Sequence, residues 1–564
     1  MSSENITANA TDGSSNSTGT LPHIFSFPML LKPDFLLIEA QVILSALSII
    51  WLGAHASLRR PPSAAPAKLK KGKKKPKDDQ FTEGFTASDA IMLPIMAGAV
   101  LMGLYYLIKW LQNPALLNKI LRVYLSVASV ASLGRLAADA LEFLTSLIFP
   151  SVWADRSGRI YHIDSVTCRQ YLVLDGQDTG TETPVPAKKT PFAGPLSEAK
   201  LSKKFNRVLW GIRHLLKEEW KARFVIHGLV KTSFDLKLNT ILGLYISVFV
   251  TIVYYLTSWH VASNLLGAAF SYAAFTLMSP TSFGIGTAVL AGLFIYDIVM
   301  VFYTPFMITV AKTVDAPIKL VFQGSSGVSM LGLGDIVVPG LLMGLALRFD
   351  LHQHYQKKIK HEPVQLTSES ADGLSGTTVT TTETQYRQVK APYVDPQGQW
   401  GTRFWTTSFR GIVPFLAAGS VKVASSFPKP YFYASVAGYA LGMILTLTML
   451  LVFNHGQPAL LYLVPGVTGS VWLTGLFRGE LKDMWAYTED GSLDTEDVVV
   501  ELDANGAVVK EVSKKTKSQE DSKPPRQDAA ADSKPAAARS DEGYDGHDVF
   551  LFSITAPRDT VKRD

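Results

Sequence analysis

The sequence predicts an all-α polytopic membrane protein of nine transmembrane helices, with disordered polar tails and loops. Three observations predict it. Of 564 residues, 47% are hydrophobic and only 18% charged, and the apolar ones fall into repeated stretches near the length that crosses a bilayer. Lys and Arg gather on one side of those stretches, as the positive-inside tendency requires. Two aspartates, Asp297 and Asp335, stand within apolar runs that hold no Lys or Arg. A lone carboxylate in hydrocarbon costs several kcal/mol, so such an acid marks a functional site by default.

Residues 1–34 form a polar tail with three acceptor sequons, at Asn5, Asn9 and Asn16, which predicts a glycosylated lumenal segment. No basic stretch precedes the first apolar run, so a cleaved signal peptide is not expected. Span one covers 35–56. Arg59, Arg60 and seven lysines between Lys68 and Lys77 follow it, which makes the loop 57–89 cytosolic and agrees with a lumenal amino terminus. Spans two and three cover 90–108 and 116–134. Residues 135–149 stay apolar but carry Arg135, Asp139 and Glu142. They read as an amphipathic helix along the interface, in which Arg135 neutralises Asp139 four residues on.

The loop 150–235 is cytosolic, with a Pro- and Thr-rich centre at 178–196 that reads as flexible. Beyond that centre, Phe205, Val208, Leu209, Ile212, Leu215, Leu216 and Trp220 recur at helical spacing among Lys203, Lys204, Arg207, Arg213, Lys217 and Lys221. A basic amphipathic helix resting on anionic lipid is the favoured reading, with a calmodulin-type target as the alternative. Span four, 238–257, completes an N-terminal bundle over 35–257. Spans five, six and seven cover 261–279, 283–303 and 329–348, within a unit 258–350 that holds both acids. A cytosolic loop, 351–430, contains a Thr/Ser tract at 367–384 that reads as disordered. His352, His354 and His361 lie in it without acidic or Cys partners and read as solvated. Spans eight and nine cover 431–453 and 457–477, and Arg478 and Lys482 keep the tail 479–564 cytosolic. From 486 on that tail is charged, rich in Pro, Ala and Ser, and predicted mostly disordered.

Cys168 is the single cysteine, which excludes an intrachain disulfide framework and argues against a thiolate metal cluster. No metal or organic cofactor and no nucleic-acid partner is expected. The formal charge of +6 says little as a sum.

The two acids share a depth. Asp297 lies about six residues before the end of span six and Asp335 about six after the start of span seven, so both lie on the order of 9 Å from one membrane face. Two carboxyls brought close share one proton: the charged one can draw a proton from water while the other polarises a carbonyl. That chemistry hydrolyses a peptide without a covalent intermediate. Gly332 and Gly334 remove bulk around Asp335. Pro458, at the start of span nine, is ordinary at a helix amino terminus; the second reading is that, lacking an N–H, it hinders regular helix and leaves backbone free to hold an extended substrate.

Tyr296-Asp297, Gly332-Leu333-Gly334-Asp335 and Pro458-Ala459-Leu460 occur in that order. The set resembles the three signatures of the intramembrane aspartyl proteases, the presenilin and signal peptide peptidase group. Longer strings resemble the signal peptide peptidase branch: Leu293 to Asp297, Ala316 to Phe322, Gly332 to Gly340, Leu347-Arg348-Phe349-Asp350 and Gln457 to Pro465. So do Ser88-Asp89-Ala90, Trp259, Asn264-Leu265 and Gly267. The resemblance implies that Asp297 and Asp335 are the catalytic acids, that Tyr296, Gly332 and Gly334 shape the site, and that Leu333, Pro458, Ala459 and Leu460 contact substrate. It also implies an endoplasmic-reticulum endopeptidase acting on signal peptides and other type II membrane segments, with a homo-oligomer or degradation-complex adaptors compatible with it. Two rivals stay open on the residues alone: a channel or transporter whose paired acids bind a proton or cation, and a silent chaperone of membrane proteins.

Overall fold

The computed structural model describes residues 33–66, 83–111, 114–155, 159–165, 167–173, 183–185, 188–226, 230–314, 316–324, 327–371, 378–397, 400–408, 426–453, 456–493, 496–502, 508–515 and 550–555. The three sequons lie outside these residues.

Helices dominate. In chain order the principal ones are α1 (Pro33–Ala56), α2 (Asp89–Leu111), α3 (Pro114–Ile148), α4 (Lys203–Lys217), α5 (Leu238–Thr257), α6 (His260–Leu277), α7 (Phe283–Ile298), α8 (Phe306–Thr313), α9 (Leu333–Gln356), α10 (Pro430–Phe453), α11 (Leu460–Arg478) and α12 (Leu481–Ala486). Seven of the described helices are long and apolar enough to cross a membrane: α1, α2, α3, α5, α7 with its following turn, α10 and α11. The other two expected spans correspond to α6 and α9, which are more polar.

α9 lies at the centre. Every residue from Pro339 to Leu351 is buried. α1 lays Val42, Ala46, Ile50 and Ala54 against this core, a stripe at every fourth residue. Phe275 of α6 wedges between Gly53 and Gly340, where any side chain would collide with its ring. α10 and α11 pack almost backbone to backbone: a Cβ on Gly466 would lie 2.6 Å from the Gly438 carbonyl, and one on Gly442 would lie 3.0 Å from that of Tyr462. Small residues permit this approach where lipid supplies no hydrophobic drive between helices.

Two motif residues fasten one end of this core. Asp350 accepts the backbone N–H groups of Tyr431 (3.2 Å) and Phe432 (3.0 Å), capping α10 from another helix. Arg348 donates Nε to Glu489 (2.7 Å) and Nη1 to Ser57 (2.8 Å). Glu489 also accepts from Arg59, from Ser279 (2.9 Å) and from Tyr487 (2.9 Å). Burial pushes the Glu489 carboxyl up, but the Arg348 and Arg59 guanidiniums outweigh it and hold it below the usual range.

Several expectations are corrected. Residues 135–149 continue span three as one helix of 35 residues, about 52 Å long at 1.5 Å per residue, and do not form a separate interfacial helix. Arg135 does reach Asp139 (3.1 Å), whose other partner is the Tyr272 hydroxyl (2.6 Å). Span seven begins with strand, not helix: Gly327–Gly332 pairs with Lys319–Gly324. The fold is not all-α: among the described residues five small sheets lie between the helices, one pairing β1 (Glu83–Phe85) with β8 (Met278–Pro280) and another holding β6 (Glu219–Ile226) and β7 (Val230–Lys237). In the loop 150–235, strands β2 (Val152–Ala154), β3 (Ile160–Asp164), β4 (Arg169–Val173) and β5 (Thr183–Pro184) form an antiparallel sheet. The described part of 178–196 is packed on it, with Lys188, Thr190 and Ala193 buried. Trp220 belongs to a strand, Glu219–Ile226, not to the preceding helix.

The described parts of the Thr/Ser tract are strand, Lys360–Ala371 antiparallel to Thr378–Val389, since β-branched Thr and Val favour the pleated surface. The described parts of the tail add Glu496–Leu502 and Val508–Lys515 to that pair, and Phe550–Thr555 pairs with Glu219–Ile226. His352 and His354 are half-buried on α9: His352 sits 4.9 Å from the Tyr487 ring and His354 5.5 Å from that of Tyr355.

Candidate active site

Asp297 is fixed by two elements. It lies one residue before the end of the apolar helix α7 and is 3% exposed. Directly after it the chain widens into a π-helix, Val299–Tyr303, a form that recurs at functional sites. Its Oδ2 accepts the backbone N–H of Leu460 at 2.9 Å. Leu460 is the first residue of α11, with Ala459 as its cap. An amide at a helix start has no partner inside its own helix. An anion there is also favoured by the helix dipole. The Pro458-Ala459-Leu460 segment therefore spends a spare donor on the acid and offsets part of the cost of burying it. The Leu460 amide is thus engaged by the acid, where Pro458 alone pointed to backbone free for substrate.

Asp335 stands in the first turn of α9, within electrostatic reach of Asp297. Tyr439 of α10 donates its hydroxyl to the Asp335 backbone carbonyl at 3.2 Å. A Cβ on Gly332 would lie 3.2 Å from Asp335 Oδ2, whereas one on Gly334 would meet nothing within 4 Å. The first glycine makes room for the acid itself, and the second leaves open space beside it. Tyr296 lays its ring against α2, 3.7 Å from where a side chain on Gly98 would be. Leu333 packs toward Gly267 of α6 and donates its N–H to the Ile318 carbonyl (3.1 Å). Pro458 and Leu460 are buried. The structure thus gathers Asp297, Asp335 and Leu460 in one place, with Tyr296 and Leu333 at its edges.

Two residues near the site were not singled out from the sequence as acting on it. Strands β9 (Lys319–Gly324) and β10 (Gly327–Gly332) form the antiparallel pair that runs directly into α9. Asn264 of α6 completes the β9 edge as another strand would. Its Nδ2 donates to the Val321 carbonyl and its Oδ1 accepts the Val321 N–H, each at 2.8 Å. Glu39, 8% exposed on α1, hydrogen-bonds Ser329 of β10. Glu39 is an acid inside span one, so the reasoning that found Asp297 applied to it equally. Asn264 appeared in the sequence only as part of a resembling string.

The model of the family described as signal peptide peptidase matches residues 76–491, a range that holds Asn264, Asp297, Asp335, Leu460 and Glu489. A signal peptide peptidase of Mus musculus is 28% identical over 462 residues, covering 80% of this chain and 84% of its own. That of Homo sapiens is 27% identical over the same length, with the same coverage. Intramembrane protease 2 of Caenorhabditis elegans is 32% identical over 246 residues, or 42% of this chain and 40% of that protein.

Proposed function

Because this chain belongs to the signal peptide peptidase family and is an intramembrane protease, we propose that Asp297 and Asp335 are its catalytic acids, and that it cleaves signal peptides and other type II membrane segments at the endoplasmic reticulum. In this reading α6 and α9 join the seven apolar helices as spans, giving nine, with a lumenal amino terminus and a cytosolic carboxyl terminus. The observation that carries the reading is the hydrogen bond from Leu460 to Asp297. It joins the third sequence signature to the first, beside an Asp335 that feels the same charge.

The pair holds one proton between its carboxyls. The charged carboxylate takes a proton from a water, whose oxygen adds to the substrate carbonyl carbon, while the protonated partner gives its proton to the carbonyl oxygen. As the tetrahedral diol collapses, one carboxylate takes a proton from a diol hydroxyl, the C–N bond breaks, and the nitrogen leaves with the proton given by the other carboxyl, so that the dyad again holds one proton. A substrate helix must unwind to present that bond, because its backbone is otherwise fully hydrogen-bonded. The open space at Gly334, next in the chain to Asp335, is where an extended segment would lie.

The test is cleavage of a purified signal-peptide-like substrate by the chain reconstituted in vesicles, with product masses locating the cut. Asp297→Ala and Asp335→Ala should each abolish turnover while the protein stays folded and inserted. Retained turnover in either variant would reject the dyad, and ion flux without cleavage would favour the channel reading.

A further inference from the structure

The helix α4 is built inside out. A helix packed on a soluble lobe ordinarily buries its apolar stripe and shows its polar face to water. Here the inward face is polar and aromatic. Arg213 is 1% exposed and gives Nη1 to the Pro150 carbonyl (2.9 Å), Nη2 to that of Ile163 (3.1 Å) and Nε to Ser165 Oγ (3.1 Å). Trp210 Nε1 and Asn206 Nδ2 both donate to the Lys189 carbonyl at 3.0 Å. Trp210 joins Trp153, Tyr161, Ile163 and Ala193 in the core of the β2–β5 lobe.

The outward face is apolar. Phe205, Val208, Ile212 and Leu215, at helical spacing along one side, are 42–57% exposed. Lys203, Lys204 and Arg207 are exposed beside them, and no acidic residue occurs between Glu198 and Glu218.

The chain's connections say what covers this face. The strand Glu219–Ile226 leaves the end of α4, and its hairpin partner Val230–Lys237 returns so that Glu219 lies opposite Lys237. The carboxyl end of α4 is thereby brought back to Leu238, where the candidate span α5 begins, and α4 touches α5. An exposed apolar stripe edged by cations, held where a span meets its loop, fits the anionic surface of a bilayer.

We propose that α4 docks the β2–β5 lobe onto an anionic phospholipid leaflet of the chain's own membrane. Phe205, Val208, Ile212 and Leu215 enter the acyl boundary, and Lys203, Lys204 and Arg207 lie at the phosphates. The proposal rests on the membrane placement above but not on the catalytic dyad.

Val208→Cys, made with Cys168→Ser because Cys168 is exposed and the sole thiol, takes an environment-sensitive fluorophore on the full chain. The labelled protein is reconstituted in phosphatidylcholine vesicles with and without phosphatidylserine. The expected result is a blue-shifted emission, quenched by spin label near the top of the acyl chains and stronger with phosphatidylserine. It should be lost when Lys203, Lys204 and Arg207 are all changed to Glu, while a label at His214→Cys stays water-quenched. Quenching of the residue 208 label by aqueous iodide in both vesicle types would overturn the proposal. So would transfer between differently labelled copies that rises with protein density, which would assign the face to a second copy. Both readouts are independent of cleavage, so loss of proteolysis leaves the outcome unaffected.

Discussion

Replacing Glu489 with Gln should unfasten the helix core. Its carboxylate takes four donors, from Arg348, Arg59, Ser279 and Tyr487. The side chains of Arg348 and Glu489 are only 4% and 5% exposed. An amide in that place carries no charge and turns an N–H2 toward groups that are themselves donors. Arg348 is then a buried cation without its anion, a situation that costs about 3–5 kcal/mol. Arg348→Met should cost less, about 1–3 kcal/mol, because Glu489 keeps Arg59, Ser279 and Tyr487. Adding Arg348→Met to Glu489→Gln should recover part of the loss, since the remaining Arg59 is 28% exposed and can turn to water. The measurement is unfolding in mixed micelles of rising SDS fraction, followed by tryptophan fluorescence, over the full double-mutant cycle. A Glu489→Gln cost below about 1 kcal/mol, or a double variant as unstable as the sum of the singles, would refute the idea that this anion balances buried cations.

Acid should act on the same cluster in a defined window. The Glu489 carboxyl is held below its ordinary 4.5, so its contribution is fully present above that pH and is lost only as pH falls through the lower, folded-state value. Unfolding midpoints followed from pH 7 downward should show no loss of the Glu489 contribution until below 4.5, and Glu489→Gln should remove that acid limb. Asn264→Leu deletes both bonds to Val321 and should lower kcat on the order of tenfold with KM little changed, while Asn264→Gln restores part. Unchanged kcat and cut position would show that the β9 edge needs no clamp. Gly334→Ala should leave stability equal or up to about 1 kcal/mol higher, as helix propensity dictates. It should nevertheless raise KM for helical substrates, because the new methyl occupies the space beside Asp335. An unfolded variant, or an unaltered kcat/KM, would count against an open substrate side.

What the sequence disclosed divides by the range of the interaction. Asp297 and Asp335 were legible because each contradicts its own neighbours, and the apolar helices followed from runs that hydropathy reads directly, except that α3 runs on to Ile148 past its charged residues. β10 was not legible, since Ser329-Met330-Leu331 runs without a break into the apolar start of α9. Only its pairing with β9 decides the conformation. The helical spacing from Phe205 to Leu216 marks α4, whereas Trp220 at the same spacing falls in the next strand; that Arg213 is the buried side chain and Val208 the exposed one depends on the lobe packed against the helix. The Thr/Ser tract has the low hydrophobicity of a disordered segment, yet its β-branched residues pair as strands. Leu460 and Asp297 stand 163 residues apart, and Arg348 and Glu489 stand 141 apart. No local pattern announces either pair.

The fastening at Arg348 and the acid Asp335 belong to the same helix, and between them it rises about 20 Å. A rod bolted at one end travels farthest at the other. Pivoting at the bolt through about 5° would carry Asp335 some 2 Å sideways, while the Arg348 end hardly shifts. Misplacement of a reacting group by about 1 Å can slow a reaction a hundredfold. In the proposed dyad, the tightness of an ionic joint far from the acids would set how often the gap between them is the right width.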